Sequence, residues 1–359
     1  MAMETRTLGR TGIEAGVIGL GTEHLLADRE NMNALLDLAV SGGVNYIDLF
    51  SDPSAGKYSD YIDAIGPAIH PHRKHLVLCL HWGLTYNEPF EQCQRGFAQA
   101  LERMGDGYAE IGMITMVDTE SMWTGWAQEA IEGIRRYQRD GRVGFIGMSG
   151  HDANIARMAV ESGLIDVLMF PVNIYQHPGA PARVALLEAC AQHKVGVVAM
   201  KPYHGGRLLK TEGHPTGITP VQCLHYVLSQ PVTTIVPGAR NITEMSEALE
   251  YLHASDEEKQ FASLQEDLKV RLRGQCTECK HCLPCPQEID IPFVISTLDY
   301  AEFYGGSRVF TQNSWETYAS LPAKASECSE CEVCLERCPF DVDIIGKMHR
   351  AVEVFETAA

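Results

Sequence analysis

Short apolar runs alternate with amphipathic stretches from the start of the chain to about residue 252. The runs are GVIGLG (16–21), NYIDLF (45–50), HLVLCLH (75–81), EIGMITM (110–116), RVGFIGMS (142–149), DVLMFPV (166–172), VGVVAMK (195–201) and TTIVPG (233–238). Each is short, mostly apolar and rich in β-branched residues, as strands buried on both faces are. Between them apolar positions fall at helical spacing. Phe97, Leu101 and Met104 share one face, and Ile131, Ile134 and Tyr137 share another. Eight strands, each followed by a helix, in about 250 residues predict an α/β fold of the (β/α)8 TIM-barrel type. An open doubly wound sheet is the alternative. It would want a G-x-G-x-x-G turn after the first strand, and none is there.

The pattern then changes. Residues 255–273 read as a polar helical connector, and from 274 the composition turns to cysteine, proline and acid. The stretch that begins IDIPFVISTLDYAEF at residue 289 keeps helical spacing rather than hairpin alternation. The expected organisation is a barrel over 1–254, the connector, and a small, mostly helical domain over 274–359.

A hydrophobic content of 45% supplies a large core, and a formal net charge of −18 argues against a nucleic-acid partner, whose phosphates it would repel. The opening MAMETRTLGRTG is polar and lacks a signal-peptide core. No segment has the roughly 18 uninterrupted apolar residues of a membrane span. The expectation is a soluble cytoplasmic protein without a membrane span.

Eight of the twelve cysteines lie in two runs, CTECKHCLPCP (276–286) and CSECEVCLERCP (328–339). Cys328, Cys331, Cys334 and Cys338 fit the C-x2-C-x2-C-x3-C-P spacing that wraps a [4Fe–4S] cluster. Cys276, Cys279, Cys282 and Cys285 fit with a last gap one residue shorter. Four-cysteine zinc sites are the alternative, but these usually place two CxxC pairs well apart. In two-cluster ferredoxins the fourth cysteine serves the other cluster. The expected ligand sets are therefore Cys276, Cys279, Cys282 and Cys338 for one cluster, and Cys328, Cys331, Cys334 and Cys285 for the other. Cys79, Cys93, Cys190 and Cys223 sit among apolar neighbours and read as ordinary buried thiols.

TRTLGRTGIEAGVIGLGT (5–22), GVNYIDLF (43–50), GRVGFIGMSG (141–150), VGVVAMKPYHGG (195–206) and IVPGARNITEMSEAL (235–249) together resemble the aldo-keto reductase family, over about residues 3–252. One branch of that family carries a C-terminal ferredoxin-like domain with two [4Fe–4S] clusters, which extends the resemblance over nearly the whole chain. The resemblance implies carbonyl reduction by NADPH bound across the C-terminal mouth of the barrel. The family's catalytic set is a tyrosine acid, a lysine that lowers its pKa, an aspartate paired with the lysine, and a histidine that orients the substrate. Asp48 stands in the aspartate position. Pro53 stands where the tyrosine is expected, and the insertion SDPSAGK moves that role to Tyr58, with Tyr61 behind it. His81 replaces the lysine and Thr115 the histidine. A histidinium at 81 can polarise a carbonyl or act as the acid. A divalent metal held by Glu23, His24, Asp48, His81 and His204 is a further possibility at this face, though their spacing is not that of ligands.

The resemblance also implies a cofactor site. PGARN (237–241) would lie against the adenosine phosphate, with Gly238 and Ala239 beneath it and Arg240 on the 2′-phosphate. Glu244 and Glu247 would reach the adenine. Ser149 and Asn173 match carboxamide-binding positions, and Lys201, at the end of the seventh strand, is a further cofactor-binding candidate. Met169 and Met200 replace the family's glutamine and nicotinamide-stacking tyrosine. The expected function is an oxidoreductase linking NADPH-dependent chemistry on a small-molecule substrate to two clusters and a one-electron carrier protein. A flavin in the barrel mouth, or a barrel that serves only as a scaffold, are the alternatives.

Overall fold

The computed structural model describes residues 2–25, 28–50, 58–83, 89–175, 180–211, 214–215, 217–262, 264, 273–278, 280–303, 315 and 318–357. The chain divides into two compact units, Met1–Ile174 with Pro181–Phe261, and Tyr175–Ala180 with Ala262–Ala359.

The first unit opens with an antiparallel hairpin, β1 (Thr5–Thr7) and β2 (Glu14–Gly16). Eight strands follow in one sheet: β3 (Leu20–Gly21), β4 (Tyr46–Leu49), β5 (Val77–Trp82), β6 (Ala109–Ile114), β7 (Val143–Ser149), β8 (Val167–Pro171), β9 (Gly196–Met200) and β12 (Thr234–Val236). A two-residue ribbon, β10 (Lys210–Thr211) and β11 (His214–Pro215), lies between the last two. Every pairing in the large sheet is parallel, and neighbours follow chain order. Parallel bridges Ile18–Ile235 and Gly21–Gly238 join the first strand to the last and close the barrel. Each predicted apolar run thus contains or overlaps a barrel strand, with most ends trimmed by a few residues and β5 and β6 each reaching one residue beyond the run.

Closure sorts the side chains by parity. Tyr46, Val77, Cys79, Ile111, Met113, Val167, Met169, Val198 and Val236 face inward as one buried cluster, joined by Leu8 and Ala15 from the hairpin. Gly9 and Gly196 make the hairpin's approach possible. A Cβ at Gly9, whose φ is +56°, would lie 2.3 Å from the Gly196 nitrogen. The alternate positions pack under amphipathic helices. α1 (Arg29–Ser41) buries Met32, Leu35, Leu36 and Ala39, α3 (Phe90–Arg103) buries Phe97 and Leu101, and α5 (Trp126–Arg139) buries Ile131 and Ile134. Side-chain caps fix several starts: Asp28 accepts from the Glu30 and Asn31 amides, and Thr219 with Gln222 forms a capping box.

The second unit is helical among its described residues, as the spacing predicted. Helices Ile291–Phe303 and Ile344–Phe355 share a buried core of Ile291, Val294, Ile295, Leu298, Ile344, Met348 and Phe355. Lys347–Asp299 (2.6 Å) and Arg350–Glu302 (2.7 Å) bridge the same pair. No described helix is long and apolar enough to cross a membrane.

Candidate active site and cysteine-lined cavities

Parallel strands put all their C-terminal ends on one rim, where barrels of this kind carry their chemistry. Asp48 on β4, His81 on β5 and Thr115 just past β6 come together there. All three are nearly buried, 6%, 5% and 2% exposed. His81 Nε2 lies 2.9 Å from Asp48 Oδ1, and its Nδ1 lies 2.9 Å from Thr115 Oγ1. The Thr115 hydroxyl donates its own hydrogen to the Gly83 carbonyl at 2.7 Å. It therefore accepts from His81, which fixes a hydrogen on Nδ1. Nε2 and the Asp48 oxygen then face each other at 2.9 Å and share one hydrogen, carried by the imidazole or by the carboxyl. The Phe50 ring covers the histidine with centroids 4.9 Å apart.

This accounting predicts the result of Thr115→Val. The change is nearly isosteric but leaves the buried Nδ1–H without an acceptor, at a cost of about 1–3 kcal/mol. Denaturant unfolding should show the loss. Unchanged stability would mean that Thr115 does not fix the ring.

Tyr61 is tied down beside this network. Its hydroxyl lies 2.5 Å from Thr22 Oγ1, which itself donates to the Asp48 carbonyl at 2.7 Å. Tyr61 thus donates to Thr22 and braces the end of β4. Tyr58 begins α2 (Tyr58–Ile69), but its side chain lies outside the described residues, as do Pro53 and the SDPSAGK insertion.

The remaining rim residues are engaged as follows. Ser149 is buried and accepts from the Met116 amide at 2.9 Å. Asn173, fully buried, donates to the Lys201 carbonyl at 3.2 Å and so supports a residue held at φ +54°. Met116 and His204 are also left-handed, so three such residues cluster at the rim. The His204 ring is held down to about 3 by burial and then by Arg207, Lys201 and Arg183, and stays neutral near pH 7. His24 and Glu23 are 3.9 Å apart and half exposed. Of the five residues weighed as a metal set, Asp48 and His81 are the hydrogen-bonded pair.

One arrangement here has no signal in the sequence pattern. Asp118, His151 and Lys201 follow three different strands. His151 Nδ1 donates to Asp118 Oδ2 at 2.9 Å, and Lys201 Nζ lies 3.1 Å from His151 Nε2. The Asp118 carboxylate also accepts the backbone amides of His151 and Asp152. Only the tertiary fold brings the three together.

Past β12, Gly238 and Ala239 lead into Arg240. Its guanidinium grips Glu244 at 2.7 and 3.0 Å, and its amide donates to the same carboxylate at 2.8 Å. Burial pulls the Glu244 carboxyl upward, but these bonds from Arg240 outweigh it and hold the group below its usual range. Glu247 is exposed one turn on.

In the second unit two cavities are lined by cysteines from both runs. One, about 390 Å³ with its open mouth included, is lined by Cys328, Cys331 and Cys334, together with Cys282 and Cys285. The other, about 310 Å³ on the same measure, is lined by Cys276, Cys282 and Cys338. Cys279 lies outside the described residues. The backbone repeats between the runs. Glu278, Lys280 and Glu288 are left-handed, and so are Glu330, Glu332 and Asp341. These residues stand at matching positions after Cys276 and Cys285 in the first run and after Cys328 and Cys338 in the second. Left-handed residues of this kind occur in the backbone nests that bind anions. The sequence repeat behind this, C-[TS]-E-C-x-x-C-L followed by C-P and then D-I, is in plain view. The strand–helix pattern of the barrel overshadows it. No disulfide joins the described cysteines. Burial pushes the Cys190 and Cys223 thiols up to about 12, which makes them inert as expected.

The profile of the Aldo/keto reductase family matches residues 13–222. The chain belongs to the aldo/keto reductase family. Among solved structures, aldo-keto reductase AKR11C1 from Bacillus halodurans in its holo form aligns with a TM-score of 0.59 at 18% identity, over 73% of this chain and 96% of that one. A protein of Pseudomonas aeruginosa assigned to the aldo-keto reductases aligns with a TM-score of 0.54 at 22% identity, over 69% and 96%. At these identities the likeness concerns the fold. No curated protein matches the chain. In this aldo/keto reductase the rim thus carries a histidine–aspartate–threonine network on β4, β5 and the end of β6.

Proposed function

We propose that this aldo/keto reductase couples NADPH-dependent reduction or oxidation of a small organic substrate to two [4Fe–4S] clusters. The observation that carries the proposal is the pair of cavities lined by cysteines of both runs, on a chain whose barrel belongs to that family. Cys276, Cys279, Cys282 and Cys338 would hold one cluster, and Cys328, Cys331, Cys334 and Cys285 the other. The convergence of the described thiols and the inward turns of each run fit such a group. When bound, the clusters supply single-electron transfer and the nicotinamide supplies hydride, which calls for a one-electron carrier protein as the further partner.

The chain's own residues set the rest. In the altered tetrad, His81 and Asp48 hold the positive centre that a lysine holds elsewhere in the family, and that centre polarises a substrate oxygen. Thr115 keeps Nε2 turned toward Asp48. Arg240 takes the 2′-phosphate by releasing Glu244, while Ser149, Asn173 and Lys201 line the cofactor side.

The test is a titration of anaerobically purified protein with NADPH and with NADH, following visible absorption. NADPH should bleach the cluster absorption. Arg240→Ala should weaken NADPH binding roughly ten- to a hundredfold, the worth of a charged hydrogen bond, and leave NADH nearly unchanged. Equal binding of the two nucleotides by the unmodified protein would refute the assignment of Arg240. A separate flavin band would move the reading to a flavin enzyme, and reduction by dithionite alone would move it to a non-catalytic scaffold.

A further inference from the structure

Cys79 lies two residues before His81 on β5, so both point into the barrel. Ligand atoms of Asp48, Cys79 and His81 all lie within 4.8 Å of one another, and all three residues are buried. A carboxylate oxygen, a thiol sulfur and an imidazole nitrogen form a mixed hard, soft and borderline donor set. Zinc takes such sets, and with three protein ligands it keeps a fourth position for water or substrate.

Three further features point the same way. The first is the orientation of His81. Its Nδ1–H goes to Thr115, whose hydroxyl is anchored on the Gly83 carbonyl. A second partner of this kind is how metal-bound histidines are usually held, with the other nitrogen presented to the ion. The second is the facing pair Nε2 and Asp48 Oδ1, 2.9 Å apart, whose shared hydrogen a metal ion can replace. The third is Tyr46, fully buried two residues before Asp48, whose hydroxyl has only the Cys79 sulfur to bond. A thiolate at Cys79, as a metal would create, accepts this hydrogen more strongly than a neutral thiol does.

We propose that Asp48, Cys79 and His81 bind one zinc ion at the barrel rim, with Tyr46 donating to the Cys79 thiolate and Thr115 orienting His81. Zinc–ligand bonds of about 2.0–2.3 Å put tetrahedral ligands about 3.4–3.6 Å apart. The Asp48–His81 contact must therefore open by about half an ångström and Cys79 must close in. The ion's chemical use, polarising a substrate oxygen at the open position, rests on the reductase reading above. Its binding does not.

The experiment uses the full chain with its clusters intact. The protein is incubated anaerobically with zinc sulfate, desalted and assayed by elemental analysis and zinc X-ray absorption. About one zinc per chain is expected, with one sulfur and the remaining ligands nitrogen or oxygen. Cys79→Ser and His81→Ala should each lower retained zinc at least tenfold, whereas Cys190→Ser, a buried thiol far along the sequence in α7 (Pro181–His193), should retain it. Zinc should raise the thermal midpoint of the unmodified protein and leave that of Cys79→Ser where it was. That comparison holds even if His81→Ala folds poorly. Absence of zinc, an all-sulfur ligand shell, or equal zinc in Cys79→Ser would overturn the site. If zinc binds as described while no carbonyl compound is turned over, the reductase reading fails and the metal site stands.

Discussion

If the crossed ligation proposed above is right, Cys338→Ser will remove the cluster of the other run. Iron and acid-labile sulfide should fall from about eight of each per chain to about four. Mild alkylation followed by mass spectrometry should then label Cys276, Cys279 and Cys282, while Cys328, Cys331 and Cys334 stay protected. The reason lies in the cavities. Cys338 lines the one bounded by Cys276 and Cys282, and Cys285 lines the one bounded by Cys328, Cys331 and Cys334. Cys285→Ser should give the mirror result. Labelling confined to the mutated residue's own run would show that the ligation is not crossed, and stoichiometric zinc without sulfide in the unmodified protein would replace the clusters altogether.

The effect extends to folding. Cys282 and Cys334 are part of the buried core of the second unit, and Cys276, Cys285, Cys328 and Cys338 pack against it. A small domain whose interior is partly built from ligands draws much of its folding free energy from the group they hold. Removing both clusters should therefore cost the unit its helical signal, while the barrel's near-ultraviolet spectrum survives. A second unit that keeps its helices without iron would contradict this.

His81→Gln should lower turnover at least roughly a hundredfold on any substrate the unmodified enzyme reduces. Glutamine can offer Asp48 an amide hydrogen, but it cannot carry the positive charge proposed for His81. The loss should appear in kcat more than in KM, because that charge matters most as negative charge develops on the substrate oxygen. His81→Lys brings its own charge and rebuilds the pair that the family resemblance describes, so it should recover part of the rate on simple aldehydes. Single-turnover hydride transfer to a panel of aldehydes and ketones is the measurement. Full activity in His81→Gln would reduce His81 to a packing residue and send the search to Asp118, His151 and Lys201.

The eight strands were legible because a parallel barrel buries both faces of each one, which writes them as short apolar runs such as HLVLCLH and VGVVAMK. The cysteine runs were legible because their C-x2-C spacing is local in sequence. Their shared backbone turns were missed although the matching residues, Glu278 with Glu330 and Lys280 with Glu332, were visible. A left-handed glutamate or lysine has no propensity that announces it.

The rim was only half legible. Asp48 and His81 could each be placed at the end of a strand. Strand periodicity gives the face a side chain occupies, not its partner across the barrel. Strand register did that, setting Asp48 beside Cys79 and His81 beside Met113, one position below the β6 end that carries Thr115. The sequence by itself determined the barrel, the family and the cysteine content. The tertiary structure alone decided that His81 is held by Thr115 and faced by Asp48, that Arg240 is gripped by Glu244, and that Asp118, His151 and Lys201 form one chain. Those contacts depend on distances of a few ångströms between residues dozens of positions apart, and local sequence preferences carry no information at that range.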